Sequence, residues 1–262
     1  YVDSRTVEGV DTAVYQRIAE KYGEDSDTTR IEVKGQFPRT GSNQFIGREV
    51  VSYAAERDLV PDGGAPLTMG IDVARFGDDE SVFRFRRGRD ARSIKPMRFR
   101  GKDTMALATE AATAIERLKP DAVFVDGGGV GGGVVDRLKM LGYRVIEVQS
   151  GEKARDEEKY LNRRAEMWAE MRDWLVYGAI DNDEALIDDL TGPEYALHLK
   201  GQIKLESKDS MKKRGLSSPD DGDALALTFA EPVSRMDAAT ARRMNRMRGS
   251  VADSEYDIFA ST

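Results

Sequence analysis

Cysteine is absent from this 262-residue chain, and histidine occurs once, at His198. The first absence removes disulfide frameworks, thiolate nucleophiles and zinc-thiolate sites together. The second removes metal sites built on imidazole, and no Ser-His pair has nucleophile-elbow spacing. His198 is read as structural. No apolar run approaches the roughly 20 residues of a membrane span, and the opening Tyr1-Val2-Asp3-Ser4-Arg5 lacks a signal-peptide layout. These features lead us to expect a cytoplasmic protein without a membrane partner. Because no initiating methionine is present, a fragment of a longer polypeptide is expected. The chemistry left open is that of carboxylates with hard cations.

The 47 acidic and 40 basic residues give a net charge of -7. That balance argues against a protein that coats nucleic acid, since neutralising phosphates needs a basic surface. The basic residues are nevertheless gathered. Arg84, Arg86, Arg87, Arg89, Arg92, Lys95, Arg98, Arg100 and Lys102 lie in one stretch, and Lys208, Lys212, Lys213 and Arg214 form a second. The first reads either as a solvated strand face or as a phosphate-contacting surface; Arg84 and Arg86 in it, with Lys208 and Lys212 in the second, are the DNA-binding candidates.

Two prolines and two glycines in residues 60–66 mark a linker and the expected domain boundary. Before it, the pattern predicts a helix through Val14, Ile18 and Tyr22, a strand at 30–33 and a helix at 48–58. After it come strands at 68–73, 81–87 and 92–99, the first two joined by the turn Gly77-Asp78-Asp79, as an antiparallel meander. A helix at 104–118, a buried strand at 121–125, a helix at 134–141 and a strand at 144–148 follow. A long helix at 161–177 carries Trp168 and Trp174, read as packing residues; a hairpin turns at Lys200-Gly201, and a helix spans 219–230. Alternating helices and strands after a meander imply an α/β domain, a mixed sheet covered by helices, over residues 67–232. Residues 1–66 form a small linker subdomain ahead of it, and 233–262 a mobile or partner-bound tail.

Asp72 and Asp126 each close an apolar strand, and the Asp220/Asp223 pair opens the apolar run Ala224-Leu225-Ala226-Leu227. Charges flanked by buried structure are costly unless something positive meets them. In the first strand, alternation puts Asp72 on the face of Thr68 and Gly70; in the later one, Asp126 shares a face with Ala122 and Phe124. Were these strands parallel neighbours, both carboxylates would lie at one sheet edge; taken singly, each could be a chain-turning aspartate. Ser218, Pro219 and Asp221 fit a helix start, with Ser218 as N-cap. Asp223 lies beyond that cap and shares a stripe with Asp220. Carboxylates from two strands and a helix suit two divalent ions, Mg²⁺ among them, for phosphodiester hydrolysis. The run from Gly127 to Gly133 lacks the Lys-Ser/Thr ending of a P-loop.

Four runs resemble one family. Gly70-Ile71-Asp72-Val73-Ala74-Arg75-Phe76-Gly77-Asp78-Asp79, Val125-Asp126-Gly127-Gly128-Gly129-Val130-Gly131 with Asp136-Arg137-Leu138, Tyr160-Leu161-Asn162-Arg163-Arg164-Ala165-Glu166-Met167-Trp168, and Ser217-Ser218-Pro219-Asp220-Asp221-Gly222-Asp223-Ala224-Leu225 look like the C-terminal nuclease domain of the large terminase subunit of tailed bacteriophages. The resemblance implies an RNase H-like fold and an Mg²⁺- or Mn²⁺-dependent endonuclease, with two ions, that cuts concatemeric viral DNA during genome packaging in the host cytoplasm. By position it implies Asp72, Asp126, Asp220 and Asp223 as catalytic metal ligands, the last two on an acidic helix shared with RuvC-like resolvases. Gly222 stands where the family commonly has alanine. Implied partners are double-stranded DNA, a packaging ATPase domain in cis, the portal and the small terminase subunit. Other readings are a RuvC-like resolvase or transposase, an actin-like sugar kinase or ATPase, and an inactive docking module.

Overall fold

The computed structural model describes residues 3–7, 12–24, 29–30, 33–36, 43–59, 62–74, 80–198 and 200–235. The turn expected at Gly77-Asp78-Asp79 and the tail from 236 onward lie outside the described residues. Contacts divide the chain into two compact units, Tyr1–Gln44 and Phe45–Thr262.

In the first unit, the stripe of Val14, Ile18 and Tyr22 forms helix α1 (Thr12–Tyr22). Arg5 joins Asp3 and Glu24, and Ser4 donates its N–H to the Val33 carbonyl at 2.6 Å. The described ends of the strand expected at 30–33 are not extended: residues 29–30 are helical and 33–34 form a turn. The amides of Val33 and Lys34 both donate to the Thr29 carbonyl, at 3.0 Å, which closes the chain on itself.

The second unit starts ahead of the proline-glycine linker. Helix α2 (Arg48–Glu56) buries Val51, Ala54 and Ala55. With Phe45 and Ile46, these residues join the core cluster around Trp168, so 45–56 pack with the domain that composition begins at 67. An apolar helical stripe must be covered by something, and the linker is long enough to let it fold back.

Seven strands, β1 (Leu67–Asp72), β2 (Ser81–Arg87), β3 (Asp90–Ala91), β4 (Met97–Phe99), β5 (Ala122–Asp126), β6 (Ile146–Val148) and β7 (Ala179–Ile180), form one mixed sheet. Its order is β6-β5-β1-β2-β3-β7, with β4 also beside β2. β1 runs antiparallel to β2 and parallel to β5, and β5 is parallel to β6. The third strand of the meander is broken into β3 and β4. Asp90 Oδ1 accepts the amides of Arg92 and Ser93, both at 2.9 Å, and this side-chain turn pulls the chain off the ladder.

Helices cover both faces of the sheet, as expected of an RNase H-like domain. Met69 and Ile71 of β1 and Val123 and Val125 of β5 pack under α3 (Thr104–Leu118) and α4 (Gly131–Met140). Asp103 caps α3 by accepting the Ala106 amide at 2.7 Å, and Lys119 ends it in the left-handed conformation before Pro120. The opposite face carries α5 (Arg163–Leu175) and α6 (Glu184–Thr191). The hairpin β8 (Tyr195–Leu197) and β9 (Ile203–Leu205) and the short α7 (Lys208–Lys213) lead to α8 (Asp220–Leu227), which lies over β1 and β2. His198 is exposed in the hairpin turn. β7, α6 and α7 extend the sequence reading.

α8 sits directly on Gly70. A Cβ added there meets the Ala224 carbonyl oxygen at 2.1 Å and Leu227 Cβ at 3.0 Å. A side chain at this point must displace a helix backbone. Gly70→Ala is expected to destabilise the folded protein by about 1–3 kcal/mol, read as a lower urea midpoint; an unchanged midpoint shows that α8 does not press on β1 here.

Candidate metal centre

The register Ile71↔Val125 sets Asp72 and Asp126 side by side at the carboxyl ends of two parallel strands. Alternation turns both toward the face that carries α8. Asp220 and Asp223, one helical turn apart at the start of α8, are themselves buried, as is Asp72. The four residues that sequence spacing placed on two strands and a helix therefore meet at one edge.

A single ammonium group joins three of them. Lys208 Nζ lies 3.0 Å from Asp72 Oδ2, 3.1 Å from Asp220 Oδ1 and 3.1 Å from Asp223 Oδ2. Lys208 occupies the first turn of α7, where the helix dipole disfavours a cation, so the carboxylates hold it there. Ser207 caps α7 by accepting the Ser210 amide at 3.2 Å. Asp72, Asp223 and Asp220 raise the pKa of Lys208 against its burial.

The remaining contacts orient the carboxylates. Asp223 Oδ1 accepts from Arg164 Nε at 2.8 Å and from Trp168 Nε1 at 2.7 Å. Asn162 starts α5 by accepting the Ala165 amide, and this fixes the turn from which Arg164 points. Asp126 accepts the Gly128 amide at 2.9 Å and the Ser150 hydroxyl at 3.0 Å. Asp220 Oδ2 accepts the Glu80 amide at 3.1 Å. Burial pushes Asp72 up to about 7 against the opposing pull of Lys208, and the charges of Asp223, Asp220 and Asp126 add to the rise. Asp223 goes the other way: although burial opposes ionisation, Arg164 and Lys208 hold it at about 2.

The start of α8 is capped from another helix. The Ser218 hydroxyl is buried and makes no hydrogen bond, contrary to the N-cap reading. Asp189 of α6 instead accepts the amides of Asp221 and Gly222, at 2.8 and 3.2 Å. Gly222 has its own packing reason: a Cβ there meets the Trp168 ring at 2.9 Å. Trp168, expected only to pack, thus packs against α8 and also bonds to Asp223.

Two DNA-binding candidates are engaged within the fold, Arg84 buried and Arg86 half-buried. Arg84 is only 1% exposed and pairs with Asp181 and Asp221. Arg86 stacks on Phe229 at 4.1 Å and donates to the Thr228 hydroxyl and carbonyl at 3.0 and 2.6 Å, closing the end of α8. Neither guanidinium is presented to a phosphate. Lys208 belongs to the carboxylate cluster, and Lys212 is exposed on α7. Arg164 and Ser150 were not singled out as site residues from sequence; Arg164 lies within the third family-like run.

A donor set of carboxylate oxygens with a cation at their common point fits a hard divalent ion by charge and ligand type. Among the described residues, no three acidic or histidine side chains already form a group that could hold one. The ammonium of Lys208 stands among Asp72, Asp220 and Asp223.

No family model matches the sequence. A probable terminase large subunit of Enterobacteria phage P7 is 26% identical over an alignment of 223 residues that covers 79% of this chain and 45% of that protein. The chain thus spans less than half the length of this curated relative. Among solved structures, the nuclease domain of the large terminase subunit gp2 of bacterial virus Sf6 aligns with a TM-score of 0.64 at 19% identity, over 72% of this chain and 99% of that one. A lysine-to-alanine variant of that domain with manganese and β-thujaplicinol aligns with a TM-score of 0.63 at 19% identity, again over 72% and 99%. In sequence and in fold, the chain resembles the C-terminal nuclease domain of the large terminase subunit of tailed bacteriophages.

Proposed function

We propose that this chain is the metal-dependent endonuclease part of a large terminase subunit, cutting concatemeric double-stranded viral DNA during genome packaging in the host cytoplasm. The observation that carries the reading is the convergence of Asp72, Asp220 and Asp223 on one cationic point, with Asp126 beside Asp72 at the same edge. The solved manganese-bound relative supports divalent ions as its cofactor. The packaging ATPase domain in cis, the portal and the small terminase subunit are its proposed partners, and Lys212 is a proposed DNA contact.

In this reading Asp72, Asp126, Asp220 and Asp223 are the catalytic ligands of two Mg²⁺ or Mn²⁺ ions. When bound, the ions supply Lewis-acid stabilisation of the charge that develops as a phosphodiester is hydrolysed. The chain's own groups set the geometry. Arg164 and Trp168 fix the direction of the Asp223 lone pairs, and Ser150 and the Gly128 amide do so for Asp126. Lys208 offsets part of the cluster's negative charge at the point that an ion would occupy.

Supercoiled plasmid incubated with the protein and Mn²⁺ or Mg²⁺ should be nicked or linearised. Loss of an outer partner of a metal ligand costs about 10- to 100-fold, so loss of a ligand should cost at least the upper end. Asp72→Asn and Asp126→Asn should each cut the rate that far while circular dichroism stays the same. Activity surviving both substitutions moves the site elsewhere.

Mn²⁺ should raise the melting temperature of the wild type, and raise it further in Lys208→Met, because the competing ammonium is gone. The rise should vanish in Asp223→Asn. Equal rises in all three proteins remove both residues from the metal site.

A pH series tests the crowding of charge. Asp72 ionises near 3.8 unfolded and about 7 folded, so the folded state binds its proton more tightly, and deprotonation across that window costs stability. Without metal, Asp72→Asn should match the wild type near pH 4 and gain on it progressively up to about pH 7. A constant difference between the two proteins across that range shows that burial among these charges does not raise the pKa of Asp72.

A further inference from the structure

Arg84 is a fully buried guanidinium that the hydrolytic reading does not use. It stands on β2 opposite Gly70 in the register, on the face beneath α8. Its Nε donates to Asp221 Oδ1 at 2.7 Å and its Nη1 to Asp181 Oδ2 at 3.0 Å. The second oxygen of Asp221 accepts Arg98 Nε at 2.7 Å. Asp221 lies between the two candidate ligands of α8 in sequence but about 100° around the axis from Asp220, given 3.6 residues per turn. It is aimed at the sheet's cations, not at the carboxylate edge.

Stability does not account for such a network. Replacing a buried ion pair with apolar residues of similar volume is often neutral or stabilising. Geometry gives it a purpose. α8 meets the sheet at Gly70 through the Ala224 carbonyl and the Leu227 side chain, contacts that set how close the helix lies to the strand. A roll of about 20° moves a carboxylate oxygen roughly 6 Å from the axis by about 2 Å, whereas metal ligands must sit within about 0.2 Å. The planar fork of Arg84, with Asp189 holding the Asp221 amide at 2.8 Å, resists that roll from two sides.

We propose that Arg84, acting through Asp221, is a positioning residue that sets the roll of α8 and thereby the placement of Asp220 and Asp223 against Asp72. The proposal rests on the metal-site reading above. It requires that fork geometry matter as well as charge, so lysine does not replace Arg84.

The test uses the intact chain in three forms: wild type, Arg84→Lys, and the double variant Arg84→Met with Asp221→Leu, which removes both members of the pair while Asp181 keeps Lys95 and Arg98 keeps Asp183. Mn²⁺ affinity is measured by calorimetry and stability by urea unfolding. The expected result is a double variant about as stable as the wild type with about tenfold weaker Mn²⁺ binding, and Arg84→Lys weakened as well. Folded variants that bind Mn²⁺ within twofold of the wild type overturn the proposal. Loss of folding in both makes Arg84 a stability residue and also overturns it. A wild type that binds no Mn²⁺ refutes the metal-site reading itself, which is a separate outcome.

Discussion

The contact of α8 with β1 at Gly70 is the constraint from which the site follows. With no side chain at Gly70, the Ala224 carbonyl comes down onto the strand, and the first turn of α8 is carried to the carboxyl end of β1, where Asp72 stands. Asp126 arrives at that end independently, through the parallel pairing of β5. Two separate features, a missing Cβ and a strand register, thus bring acidic groups from distant parts of the chain together. The cost of the arrangement is visible in the raised pKa of Asp72, which burial drives and the neighbouring carboxylates increase.

The first turn of α8 handles three aspartates by sending them in different directions. Asp220 and Asp223 meet Lys208, Asp223 also meets Arg164, and Asp221 meets Arg84 and Arg98. Acidic residues suit a helix start because the dipole favours negative charge there. That shared benefit leaves their directions unspecified. The cations on β2, β4, α5 and α7 decide which carboxylate anchors the helix and which faces the edge.

The core of this plan was legible because it depends on period and sign. Asp72 and Asp126 close apolar strands, and an aspartate beyond the helix cap shares a stripe with Asp220; these patterns need only local spacing. The helix from Thr104 to Leu118 was legible to the residue, since Asp103 and the pair Lys119-Pro120 mark both its ends. β7 escaped because two residues carry no period. Arg84 and Arg86 escaped for a different reason. A basic run reads as a surface when its acidic partners are far away in sequence, and Asp181 and Asp221 lie 97 and 137 residues from Arg84. The cap of α8 escaped in the same way: Ser218 has the right spacing, yet the amide of Asp221 is held by Asp189, 32 residues before Asp221.

The basic residues that composition groups together are divided by the strand pleat. Arg84 and Arg86 alternate with Phe83 and Phe85 along β2, so placing the two phenylalanines under α3 and α4 forces both arginines toward α8. Once there, they meet opposite ends of the same helix. Arg84 takes the carboxylate of Asp221 in the first turn, and Arg86 takes the Thr228 carbonyl just past the last, where the dipole favours a cation. One strand therefore grips α8 at both ends while Gly70 of the neighbouring strand lets it lie close. An apolar contact could bury the same area, but it would not distinguish one orientation of the helix from another, and a cluster of carboxylates that must share a cation depends on that orientation.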